Sequence, residues 1–530
     1  MTGRDFHLPG RSPVYAGNAM CATSHPLATE AAISVLRHGG NAVDAAVTAA
    51  AVLAVVEPQM TGIGGDCFAI LARKDKAPTG INGSGRAPAA ATTQWFHVHG
   101  IDEIDPESVH AVTVPGAVDA WDRLLADEGT IGLEEALAPA IRLAEEGYFV
   151  APRVAHDWRL SAEALARDPG ARAIYLKDGE PYRAGDRHRL PALAKTLKTI
   201  AMKGRGAFYE GEIAEAMVRH LSSLGGSHTI DDFAATRASW VKPVVSPYRG
   251  VDMVELPPNT QGVTALLMLN ILENFELAAL DPLGPERLHL EMEAARSAYR
   301  FRDRMIADPE SMQVGVVDLL DKRLGRDLAQ HIDIDRRGTD LGPVRVPAGS
   351  DTVYLTVVGA DRTAVSFINS IFHVFGSRIC DPVTGVLYHS RGSAFSLNPD
   401  HPNCIGPNKR PMHTLIPAMT MRDNRVDLAY GVMGAAYQPV GHTHVATNVY
   451  DFGMDIQQAI DLPRLFFRDG RLGVERGIPE TVRAALAAKG HDVFVVETPW
   501  GGGQGIRLDW ERGLLIGGSD PRKDGCALGF

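Results

Sequence analysis

The chain changes texture at one peptide bond, Asp351–Thr352. Beyond it, Thr352–Val358 and Thr363–Ile371 alternate like two strands of a hairpin around Gly359-Ala360-Asp361. More short strands follow, with helices near His444–Ala459 and Pro479–Lys489, and the last residues return to strand and turn. Ahead of the bond, Pro26–His38 and Asn41–Val56 carry helical spacing, separated by Gly39-Gly40, a natural helix stop. The glycine-rich turn Thr61–Phe68 leads into a strand at Phe68–Leu71 and another around Gly80–Gly83. A long helical middle is expected from about Asp119 to Arg304, broken by turns such as Pro257–Gly262. A proline- and glycine-rich linker runs from about Gly342 to Ser350. The pattern predicts an α+β fold with a helix-rich first part and a sheet-rich second part, free of internal repeats.

A mid-chain threonine hydroxyl is a poor nucleophile. Cutting the bond before Thr352 would give that residue a free α-amine able to accept its hydroxyl proton, a recognised way of activating threonine. The plain alternative is that a β-branched residue simply starts a strand.

Composition narrows the partners. The 530 residues are 45% hydrophobic and 22% charged, as in ordinary globular proteins. A net charge of −11 argues against nucleic acid or an anionic membrane as partner. The five cysteines form no CxxC pair and read as reduced, packed thiols. His442-Thr443-His444 is the one local metal-like spacing and reads as structural, so no metal is expected. The stretch MTGRDFHLPGRSPVYAG lacks a basic region followed by an apolar core, and Ala42–Val56 is too short to span a bilayer. A cytoplasmic protein is expected. Gly62-Ile63-Gly64-Gly65 has the wrong spacing for a dinucleotide loop, and no cofactor is expected.

Eight ordered blocks carry a resemblance that generic patterns do not: GGNAVDAAV (39–47), EPQMTGIGGDCF (57–68), TVPGAVDAW (113–121), LAPAIRLAEEGY (137–148), TVYLTVVG (352–359), KRPMHTLIP (409–417), DFGMDIQQAIDLPR (451–464) and SDPRKDG (519–525). In these the chain resembles the γ-glutamyltransferases (γ-glutamyl transpeptidases) of the N-terminal nucleophile hydrolase superfamily. The resemblance implies a four-layer αββα sandwich and a precursor that cuts itself at Asp351–Thr352. The products would be a large chain 1–351 and a small chain 352–530, intertwined in one unit and possibly paired into a dimer of heterodimers. It also implies Thr352 as nucleophile, Ser370 as a second hydroxyl beside it, and Gly434 and Ala435 as the backbone oxyanion pair. Alanine serves in that pair if its local φ is negative.

The resemblance fails in the pocket that holds a γ-glutamyl head group. The family's carboxylate-gripping arginine aligns with Ser84, and its amine-pairing acid with Ala394. A pocket asparagine falls at Phe372, a glutamine at Arg391, and two serines at His413 and Thr414. An ammonium buried without its carboxylate would cost several kcal/mol. Arg86 and Arg391 are candidate carboxylate forks, with Ser84, Phe372, His413 and Thr414 as further pocket residues. The expected substrate is a small carboxylate-bearing amide, oxamate-like, whose acyl group passes to water. Genuine γ-glutamyl transfer is the rival reading, and an inactive binding protein is a third.

Overall fold

Two seven-stranded sheets, antiparallel throughout, stack face to face and are covered on both outer sides by helices, giving the four layers of an αββα sandwich. The computed structural model describes residues 10–339 and 352–530. The expected linker Gly342–Ser350, Asp351, and the first nine residues of the N-terminal stretch lie outside the described residues.

The first sheet runs in the order Cys526–Gly529, Met20–Thr23, Val353–Val358, Ala364–Ser370, Asp66–Ala72, Thr79–Gly83, Ser239–Val241. The second runs Val14–Ala16, Leu514–Ser519, Gly502–Asp509, Arg425–Met433, Ala418–Arg422, Val251–Glu255, Val244–Tyr248. Each sheet draws strands from both sides of residue 352. The expected hairpin is present, with Val353 opposite Asn369 and Val358 opposite Ala364.

The middle of the chain departs from expectation. Between Asp119 and Arg304 lie three strands of the two large sheets, Ser239–Val241, Val244–Tyr248 and Val251–Glu255, the last two joined at Arg249-Gly250. They are short and surrounded by long helical stretches, so local periodicity hides them, whereas pairing with residues far along the chain fixes them. Val14–Ala16 and Met20–Thr23 are held in the same way, by Leu514–Ser519 and by Val353–Val358.

The alanine-rich helix Ala42–Val56 is buried along its whole length. Its small side chains let it sit between Pro26–Arg37, Leu133–Glu146 and the strand Val353–Val358. A capping box starts it: the Asn41 side chain accepts from the N–H of Val43 and of Asp44, and Asp44 accepts from the Asn41 N–H.

Opposite it, Gly262–Leu272 and Gln438–Tyr450 cover the second sheet, and Pro285–Met305 packs on both helices. His442 pairs with Glu255 at 2.7 Å, while His444 meets Arg287 at 2.9 Å and Glu291 at 3.1 Å. All five cysteines are free thiols. Among the described residues no helix is long and apolar enough to cross a membrane.

Candidate active site

Thr352 sits at the head of a central strand and is buried. Across the sandwich, Tyr354 packs on Gly431, where an added side-chain carbon would lie 2.4 Å from the ring. That close face-to-face contact brings Thr352, two residues before Tyr354, to the same end of the sandwich as Gly434, three residues after Gly431. The Thr352 hydroxyl donates to Ser370 Oγ at 3.2 Å, and Ser370 Oγ also accepts from the Phe372 N–H at 2.8 Å.

The turn at residues 61–65 fixes this arrangement rather than holding a phosphate. A carbon added to Gly65 would lie 2.3 Å from the Ser370 carbonyl, so only glycine lets the two backbones approach. Asn369 ties the same segments together, donating to Thr61 Oγ1 at 2.7 Å.

Gly434 (φ 127°) and Ala435 (φ 42°) form the turn leading into Gln438–Tyr450. The condition set for an alanine at this place, a negative φ, is not met: Ala435 is held in the left-handed region. The strain is tolerated because the turn is held from several sides. Gln261 donates one amide group to both the Ala435 and Thr414 carbonyls, each at 2.8 Å, and Arg302 in turn donates to Gln261 Oε1 at 3.1 Å. The Tyr299 hydroxyl donates to the Ala436 carbonyl. A left-handed alanine costs roughly 1–2 kcal/mol, against about 0.5–1 kcal/mol for the extra chain freedom of glycine. Ala435→Gly is therefore expected to keep turnover within about threefold and to raise stability by at most about 1 kcal/mol, read by steady-state kinetics and denaturant unfolding.

The pocket residues fall into two groups. Arg391 is wholly buried, with its guanidinium carbon 3.8 Å from the centroid of the Phe372 ring. Its Nη1 donates to Thr414 Oγ1 at 3.0 Å, while Nε and Nη2 have no hydrogen-bond partner among the described residues. Asp66 Oδ2 lies 3.9 Å from Nε, beyond hydrogen-bond distance. Burial pushes the Arg391 guanidinium down to about 9, with Asp66 opposing the shift, so it stays charged at neutral pH. Phe372, at φ 80°, lines a cavity of about 550 Å³ together with Ala394, Ser393, Met412 and the acids Glu103 and Asp303.

Arg86 is placed elsewhere. It is half-exposed, donates to the Asn408 carbonyl at 2.8 Å and faces Asp308 at 3.7 Å; neither it nor the wholly buried Arg391 is among the residues lining that cavity. Ser84 is buried, and its hydroxyl accepts from Asn259 at 3.2 Å.

Asp66 is the buried hub that composition did not reveal. It accepts from the Gly85 N–H at 2.8 Å and from His413 Nε2 at 3.0 Å, and His389 Nδ1 lies 3.2 Å away. His413 Nδ1 accepts from the Leu415 N–H, so Nε2 carries the proton of a neutral ring. Burial, then the charge of Arg391, pushes that imidazole down to about 3. Burial alone would raise the Asp66 carboxyl. The charge and hydrogen bond of His389, together with the hydrogen bond from His413, overcome it and hold the carboxyl well below the usual carboxylate range. Asp66, His389 and Gln261 had no signal in the sequence beyond a glycine-rich turn, a strand-rich stretch and a proline turn.

Elsewhere, His289, Glu293 and His491 bring possible ligand atoms within 4.8 Å of one another. Those atoms are already in use: His289 and His491 bond to each other at 2.8 Å, and Glu293 takes Arg296 at 2.7 Å and the Gly338 N–H at 2.9 Å.

Comparison with known proteins gives the chain's relatives. A family model described as Gamma-glutamyltranspeptidase matches residues 28–530. The glutathione hydrolase-like YwrD proenzyme of Bacillus subtilis (strain 168) is 39% identical, over 96% of this chain and 98% of its own length. The oxamate amidohydrolase proenzyme of Klebsiella pneumoniae is 35% identical, over 97% of this chain and 98% of its own. Among solved structures, cephalosporin acylase from Bacillus halodurans superposes with a TM-score of 0.93 at 37% identity, covering 100% of this chain and 99% of its own.

Proposed function

The chain belongs to the gamma-glutamyltranspeptidase family, and from that premise we propose that it is a self-processing amidohydrolase acting on small amides that carry a carboxylate, oxamate-like in character. In the precursor the Thr352 hydroxyl attacks the Asp351 carbonyl, and water hydrolyses the resulting ester. Chains 1–351 and 352–530 remain associated. In the processed enzyme the Thr352 α-amine takes the hydroxyl proton, Oγ1 bonds to the substrate carbonyl, and the C–N bond breaks as the proton passes to the leaving nitrogen. Water then releases the acid from the ester. Gly434 and Ala435 present their N–H groups to the tetrahedral oxygen, and Ser370 holds the threonine hydroxyl.

The observation that carries the substrate class is Arg391, a buried cation with two N–H vertices unspent among the described residues. A carboxylate is the ligand that uses such a fork. A parallel assay of oxamate and γ-glutamyl-p-nitroanilide tests the reading. Turnover of the first and little of the second is expected, and the reverse would overturn it.

One observation favours the rival γ-glutamyl substrate. Glu103 and Asp105 line the same cavity as Ala394, beside Asp303 in its pair with Arg302, so an ammonium entering it would meet an excess of negative charge despite the alanine. Both readings share the base. An ordinary α-amine titrates at about 7.7–8.0, and only its neutral form accepts a proton. Activity is expected to fall as pH drops through that range, or lower where burial disfavours the charged amine. A kcat profile flat down to about pH 5 would remove the amine from the mechanism.

A further inference from the structure

Another cavity, of about 390 Å³, opens at the turn that holds Gly434. Gly434 and Ala436 line it, as does Val374, two residues beyond Phe372. Its remaining wall has two characters: Leu160, Phe466, Phe494, Val496 and Trp500 form an apolar side, and Arg153, Asp157, Arg468, Glu497 and Lys523 bring charge to the rest. We propose that this cavity is the subsite for the leaving amine, and that it selects amides whose nitrogen carries a flat, apolar, aryl-like group. The inference rests on the reading of Thr352 as nucleophile and Gly434–Ala435 as the oxyanion turn, and adds the half of the substrate which that reading leaves open.

The first part of the argument is position. At a tetrahedral carbon bonded to Thr352 Oγ1, with its oxygen at the turn, the acyl chain and the departing nitrogen occupy the two remaining directions. The acyl carboxylate is assigned to the Arg391 and Phe372 side. The cavity that shares Gly434 but not Phe372 is then left for the nitrogen. When the C–N bond breaks, that nitrogen takes its proton from the Thr352 ammonium and leaves as a neutral amine, which the aromatic side of the cavity suits as well as it suits the substrate.

The second part is construction. The Trp500-Gly501 segment is docked directly on the oxyanion turn: a carbon added to Gly434 would lie 3.2 Å from Gly501 Cα, and one added to Gly501 only 2.4 Å from the Met433 carbonyl. Trp500 is locked in place. Its backbone N–H donates to Glu475 Oε1 at 3.0 Å, and its carbonyl accepts from Arg464 at 2.8 Å. Phe466 meets its ring edge-on at 5.5 Å, and Tyr437 lies parallel to it at 6.2 Å. A preformed aromatic wall in contact with the reacting turn is how pockets for planar ligands are made. Ammonia, the leaving group of a primary amide, would use none of it.

The test compares aryl and primary amides of one acyl group, in processed wild type and in Trp500→Ala and Trp500→Phe. The substrates are oxanilate against oxamate, and γ-glutamyl-p-nitroanilide against glutamine. Intrinsic leaving-group reactivity cancels when the aryl-to-primary ratio of kcat/KM is compared between proteins. Trp500→Ala is expected to lower that ratio by about tenfold or more, mainly through KM, and Trp500→Phe to restore most of it. An equal loss on both members of a pair means Trp500 is merely structural, which overturns the proposal. Activity confined to the γ-glutamyl pair would sink the acyl reading, yet the aryl preference is still read from that pair. If neither pair turns over, aniline binding by saturation-transfer NMR decides. Contact that Trp500→Ala abolishes supports the subsite, and absence of contact with wild type overturns it.

Discussion

Thr352→Ala is expected to run as one 57.0 kDa band on a denaturing gel and to hydrolyse no amide, where the parent runs as chains 1–351 and 352–530. Both losses come from one atom. The hydroxyl that would attack Asp351 in the precursor is the one that would attack substrate afterwards. Loss of a nucleophile costs about 10⁴–10⁶ in kcat, leaving only what binding and the oxyanion turn supply. The variant should fold, because the oxygen lost makes a single hydrogen bond to Ser370 among those seen and the strand behind it is paired on both sides. Circular dichroism matching the parent's checks this. Thr352→Ser keeps the oxygen and the amine, and should be cut and active. Two bands from the alanine variant would mean that another residue makes the cut. N-terminal sequencing of active material should read Thr-Val-Tyr-Leu, and any other start would move the scission.

What the sequence made legible follows from how local each cause is. The hairpin of Val353–Val358 and Ala364–Ser370 was readable because alternation and a Gly-Ala-Asp turn are encoded in a few neighbouring residues. The helices at the N-terminus were readable from their spacing and the glycine pair that ends the first. The hairpin Val244–Tyr248 and Val251–Glu255 was not, since its position is fixed by strand Ala418–Arg422, far along the chain. The site divides the same way. Thr352 and Ser370 lie on one hairpin, so their juxtaposition follows from register. Asp66 lies in a glycine-rich turn whose meaning appears only when His413, 347 positions away, is folded against it. Gln261 reads as part of a proline turn, and its bracing of Ala435 requires the tertiary fold. The positive φ of Ala435 is imposed by those braces and leaves no mark on an alanine in the sequence.

Arg391→Gln should move stability and activity in opposite directions. It places in this chain the residue type that the family resemblance assigned to the position. On an amide that carries a carboxylate, kcat/KM is expected to fall about 10²–10³-fold, equivalent to roughly 3–4 kcal/mol for a buried charge-assisted fork. A neutral amide such as propionamide, already poor, should lose less than about threefold. Without substrate, the arginine is a cation held at zero exposure with two vertices unspent among the described residues and its nearest carboxylate 3.9 Å away. Asp66 does not depend on it, being held by Gly85, His413 and His389. Removing the charge relieves a desolvation cost that is incompletely offset, so the variant should unfold at the same temperature or a few degrees higher. Arg391→Lys separates charge from fork: it keeps the cation but loses the planar donor pair and the stack on Phe372. If Arg391 serves the fold alone, glutamine destabilises and both substrates weaken together. If it serves the carboxylate, stability holds while selectivity collapses, because the same unspent donors that make the free enzyme less stable bind the substrate.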